Sequence, residues 1–121
     1  MACFLAPTAA AMVVGVVKSS AKEAAPKAGR LPLRTKLSWL LTMLAGGSVL
    51  LALEHLWHGE VVLAPPFLTA MADGASTAVM VQEIATVGVG MAVLVTVCWA
   101  VMVVAVERIA LLRRVFVKAE R

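Results

Sequence analysis

The chain has 121 residues, 62% of them hydrophobic and 15% charged, with eleven Lys and Arg against seven Asp and Glu. Ordinary soluble domains are about half apolar and about a quarter charged, so this composition argues against a water-soluble core. The net charge of +4 does not point to nucleic acid, because the charges sit in two short segments beside apolar runs rather than across a folded face.

Residues 37–106 contain no Lys or Arg, and all basic residues fall within 18–36 or 108–121. Two apolar segments bounded by basic stretches, with Glu54, Glu60, Asp73 and Glu83 between those stretches, predict a chain integral to the cytoplasmic membrane. Both basic ends, the C-terminus included, then lie on the cytoplasmic side. The expected fold is an all-α membrane bundle of two transmembrane helices, plus a further N-terminal membrane helix.

Residues 1–17 are uncharged and apolar, without the basic n-region that precedes the apolar stretch of a secretory signal. As a helix they would reach roughly 25 Å, short of a hydrocarbon core of about 30 Å. Two readings stay open: a third span, or a re-entrant or interface-lying helix. Residues 18–36 carry six basic residues against Glu23, and Pro26, Gly29 and Pro32 break regular structure, predicting a cytoplasmic loop.

Residues 37–58 are read as the first long transmembrane helix. Trp39 and Trp57 lie roughly 27 Å apart on a helix axis, and tryptophan favours membrane interfaces. Thr35 is the expected N-cap. Residues 59–82 form an apolar extracytoplasmic connection: an extended piece over 61–64, a Pro65-Pro66 corner and one or two helical turns. Asp73-Gly74 then makes a turn, with Ser76 or Thr77 as the cap of the next helix. Residues 83–106 predict the second transmembrane helix, running without interruption to about Val115. Residues 107–121 form a basic cytoplasmic tail in which Arg108, Arg113, Arg114 and Lys118 alternate with apolar residues.

One cluster has the composition of a site. Glu54, His58 and His55 fall within about 100° of one another on a helix, Glu60 comes just after the expected stop at Gly59, and Glu83 sits at the corresponding level of the next span. Two imidazoles and up to three carboxylates suit a divalent cation such as zinc, iron or manganese. The same groups suit a proton or ion path. The simpler reading is a hydrated interfacial anchor with Glu54 and His58 paired one turn apart. Haem is disfavoured: both histidines lie on adjacent turns of one helix, so a second chain would have to supply the opposite ligand.

Small residues predict where helices touch. Ala45, Gly46, Gly47 and Ser48 form one patch, and Ala85, Gly88 and Ala92, beside Gly90, form another. Val103 is expected to face lipid, and Trp99 to pack against lipid or a helix. Cys3 and Cys98 have neither finger spacing nor a CxxC motif. The sequence lacks a Walker loop, a dinucleotide fingerprint, a GxSxG elbow and an HExxH motif. The expectation is a non-enzymatic structural or accessory subunit, homo-oligomeric or part of a larger membrane complex, with no nucleic-acid partner. The alternative is an oligomeric protein that binds a cation, or translocates protons or ions, through the His/Glu cluster.

Overall fold

The computed structural model describes residues 2–22 and 30–120, and the Glu23, Pro26 and Gly29 features of the basic loop lie outside these. Helix α1 covers Leu5–Ser20 and α2 covers Leu33–Trp57. A 3₁₀ turn comes next at Thr69–Ala72, then α3 at Gly74–Glu83, a π turn at Ile84–Gly88 and α4 at Val89–Ala119. Among the described residues the only β feature is an isolated antiparallel bridge between Val61 and Leu68.

Local chemistry sets the ends of these elements. Pro7 falls in the first turn of α1, where its missing N–H costs nothing. Pro32 precedes α2 in extended backbone, with ψ of 142°, and the helix starts directly after it. Thr35 therefore lies inside the first turn rather than capping it, which corrects the expected boundary. At the far end α2 stops at Trp57. Gly59 adopts a φ of +72°, the left-handed conformation that glycine takes readily after a helix. Asp73 caps α3 through its own carboxylate, which accepts from the Ser76 N–H at 2.8 Å. Ser76 and Thr77 are thus helical residues and not the cap.

The 59–82 segment is partly as expected. Val62 N–H donates to the Phe67 carbonyl at 2.9 Å and Thr69 N–H to the Glu60 carbonyl at 3.1 Å, closing a hairpin-like loop around a cis Pro65-Pro66 bond. Its last nine residues belong to α3, which starts two or three residues before the expected Ser76 or Thr77 cap. From Gly74 to Ala119 the long C-terminal rod measures roughly 69 Å at 1.5 Å per residue, and it is interrupted by the π turn rather than being continuous α-helix.

The first helix is the largest gain over the sequence. Phe4, at its start, meets the His55 ring edge-on at 5.7 Å, and Lys18, at its end, donates to Ser38 Oγ at 3.0 Å. Helix α1 therefore runs antiparallel to α2 over most of its height and is a full partner in a three-helix bundle. The bundle has a histidine end and a basic end.

Two small cores hold it together. In the middle, Ala11 of α1 packs with Leu40 and Leu44 of α2, and Ala92, Val95 and Trp99 of α4 close the cluster. At the histidine end, Ala2, Ala70 and Met80 pack under the hairpin-like loop with Phe4, Leu68 and Ile84 around them. One expectation about a helix face is overturned. Val103 is 6% exposed, on the same α4 stripe as Trp99, so it faces the bundle. At Gly46 and Gly47 a Cβ would meet nothing within 4 Å, so neither marks a close approach of helices within the chain. Gly88 is tightly packed, but against Cys3 and Ala6 of the N-terminal segment rather than against α2.

The Asp73 cap makes a pH prediction. Its carboxyl is held below the usual carboxylate value, chiefly by the Ser76 N–H, next by the Ser76 hydroxyl. A lowered folded pKa adds stability above the ordinary carboxylate value, and that stability is lost as pH falls through the folded value. The protection factors of the Ser76 and Thr77 amides should therefore fall below about pH 4, and Asp73→Ala should show that reduced protection already at pH 7. Identical exchange in wild type and Asp73→Ala would disprove the cap's contribution.

Candidate functional site

His55 is the centre of the polar cluster. It lies on the last turn of α2, turned inward, with 4% of its surface exposed. Its Nδ1 is 2.7 Å from the Leu51 carbonyl oxygen, which can only accept, so Nδ1 carries a proton. The Glu54 carboxylate also reaches Nδ1, at 2.9 Å. On the other side of the ring, Nε2 lies 3.7 Å from Glu60 Oε2. Glu60 is held in place from its backbone: its N–H donates to the His55 carbonyl at 2.9 Å, and its own carbonyl accepts from the Thr69 N–H and hydroxyl.

Glu54 bridges the two imidazoles. One oxygen faces His55 and the other lies 3.5 Å from His58 Nε2, one turn along the helix. His58 and Glu54 are more than half exposed at their side chains. The shared helix side read from the sequence is thus real for the Glu54–His58 pair, while His55 turns about a quarter of the way round and into the bundle.

Among the described residues no group of three or more His, Cys, Asp and Glu is placed to hold a metal ion. Of the expected set of Glu54, His55, His58, Glu60 and Glu83, the first four meet in pairs rather than as one such group. Their partners show why. His55 spends Nδ1 on a main-chain carbonyl, Glu54 lies between two rings, and Glu83 sits at the end of α3, beside the π turn. The arrangement joins separate elements. The His55 ring ties the end of α2 to Phe4 of α1 and faces the hairpin-like loop through Glu60.

The basic end contains a second polar assembly that local sequence patterns do not reveal. Glu107 of α4 makes an ion pair with Lys36 at 2.6 Å and accepts the Leu31 N–H at 3.0 Å. Trp99 Nε1 donates to the Lys36 carbonyl at 2.8 Å. Trp99 and Glu107 are eight residues apart on α4 and grip the first turn of α2 between them. Lys36 and Glu107 are each about a fifth exposed at the side chain, so their mutual attraction is only partly screened.

Glu107→Gln should lower the melting temperature in detergent, whereas Lys118→Ala, on the exposed tail, should not. The double exchange Lys36→Glu with Glu107→Lys should recover part of the loss. Failure of that exchange to recover any stability would mean that the Leu31 contact, and not the charge pair, carries the effect.

No known protein family, curated protein or solved structure matches this chain.

Proposed function

We propose that the chain is a small integral membrane protein and acts as a non-enzymatic structural or accessory subunit of a membrane assembly. The observation that carries this is the surface of the long rod. The most apolar eighteen-residue stretch of Gly74–Ala119 has only 6% of its residues buried, and that of α2 only 17%. Val93, Leu94, Val97, Val101 and Val104 all stand exposed. An apolar surface of that extent is a membrane or partner surface, whereas the core helix of a soluble protein would be covered.

The two polar assemblies support the same reading. Each lies at one end of the bundle, with apolar side chains between, so hydrated groups are spaced as two interfaces would require. The accessory role rests on what the helices present outward. Gly46 and Gly47 leave open space on α2, where the backbone of another helix can approach closely. A second copy or a larger complex would use that face. The clustered Glu54, His55, His58 and Glu60 then serve as an interfacial lock between helices.

Topology is the direct test. With three spans, the basic loop and the tail lie on the cytoplasmic side, and the histidine end with residues 59–82 lies outside. A cysteine placed at Ala75 in a background lacking Cys3 and Cys98 should react with an impermeant maleimide on whole cells, and one at Ser20 only after lysis. The reverse pattern would sink the orientation, and release of the protein from membranes by alkaline carbonate would sink the membrane reading itself.

A further inference from the structure

Resting on the membrane reading, we propose that the groove between α1 and α2 holds one acyl chain of an anionic phospholipid whose phosphate sits at Lys18. The groove has a volume of about 520 Å³ and is walled by Ala11 and Gly15 of α1 and by Leu41, Val49 and Ala52 of α2. It extends from Phe4 to Gly15, roughly 16 Å along the α1 axis, about half of a 30 Å hydrocarbon core.

The walls select an apolar occupant. The two hydroxyls that line the groove are already used: Thr8 Oγ1 donates to the Phe4 carbonyl at 2.7 Å and Ser48 Oγ to the Leu44 carbonyl at 2.8 Å. Neither hydroxyl therefore has a proton left to donate to a ligand.

The end of the groove selects the headgroup. Lys18 lies three residues beyond Gly15, about 4.5 Å further along α1, and its Nζ is fixed by Ser38 Oγ at 3.0 Å. Lys22 and Arg30 are exposed at the same end of the bundle. Glu107 at this end is engaged by Lys36 and Leu31. The histidine end, where Glu54 and Glu60 lie, presents carboxylates of the same sign as a phosphate. The lipid therefore comes from the leaflet at the basic end.

Native mass spectrometry of the full chain in detergent tests this, with phosphatidylglycerol and phosphatidylcholine of identical chains as probes. Wild type should retain phosphatidylglycerol about fivefold better, the order expected of one lysine near an anionic surface. Lys18→Gln should remove that preference, and Lys118→Gln should not. Gly15→Leu should block both lipids, since a Cβ there meets only Leu41 Cδ1 at 4.0 Å and the longer side chain projects into the groove. Helix propensity favours that replacement, so lost binding with an unchanged or raised melting temperature separates blockage from misfolding.

Equal retention of the two lipids by wild type, or unaltered retention in Gly15→Leu, overturns the proposal. So does a dimer whose formation Gly15→Leu abolishes, because the groove then belongs to a second copy. Carbonate extraction of the same protein from membranes separates these outcomes from failure of the membrane reading: retained protein that does not discriminate between lipids refutes only the lipid site.

Discussion

Replacing Gly88 with leucine should cost the bundle more stability than the same substitution at Gly46, Gly47 or Gly90. A Cβ at Gly88 would meet the Cys3 carbonyl oxygen at 2.7 Å, Ala6 Cβ at 3.1 Å and Cys3 Cα at 3.4 Å. Two of the three are backbone atoms, which cannot swing aside as a side-chain end would. Overpacking of this kind costs about 1–3 kcal/mol or more, while exchanging a helical glycine for alanine returns only about 1 kcal/mol of propensity. Gly88→Ala should therefore lose stability on balance, and Gly88→Leu should lose more, by prising the N-terminal segment off the π turn. Gly90→Ala, two residues on with nothing within 4 Å, should be neutral or slightly stabilising. Thermal melts of the three variants in one detergent decide it. A Gly88→Leu melt equal to wild type would show that residues 2–6 do not pack on the π turn.

That contact also shows where the sequence stops being legible. Gly46, Gly47 and Gly88 look alike in the sequence, each a small residue in an apolar run. What distinguishes Gly88 is the N-terminal segment, and its path was the one the sequence left open between a span and a surface helix. The faces of α4 were hidden for a different reason. The helix is apolar on all sides, so no polar periodicity separates Val103, which is buried, from Val104, which is exposed. The usable marker was Glu107. Placed between Val106 and Arg108 it reads as part of the basic tail, yet it lies eight residues after Trp99 and so marks the same stripe. Long apolar helices and the stop at Gly59 were readable because each arises from local chemistry. The His/Glu cluster was readable as a neighbourhood. Its division into a buried His55 and an exposed Glu54–His58 pair depended on Phe4, fifty-one residues away in the chain.

Leu44→Ala is expected to be the most damaging truncation in the central core. Leu44 is 1% exposed and is the one large side chain among the described residues that is fully buried. It packs with Ala11 and Leu40, near Trp99 of α4, so its loss opens a cavity where all three helices meet. In soluble proteins such truncations cost about 2–5 kcal/mol, combining lost transfer energy with the cavity left behind. For a chain that unfolds within lipid the transfer part largely disappears, because lipid tails are as apolar as leucine. The packing part remains. The expected loss is therefore about 2 kcal/mol, at the low end of that range. Leu50→Ala, at a position 70% exposed, removes the same atoms from the outer surface and should be nearly silent. Equal losses for both variants would mean that neither leucine sits in a helix interface. A Leu44→Ala loss near the top of the soluble range, accompanied by a comparable loss for Leu50→Ala, would instead show that water and not lipid surrounds the unfolded chain, which contradicts the membrane reading.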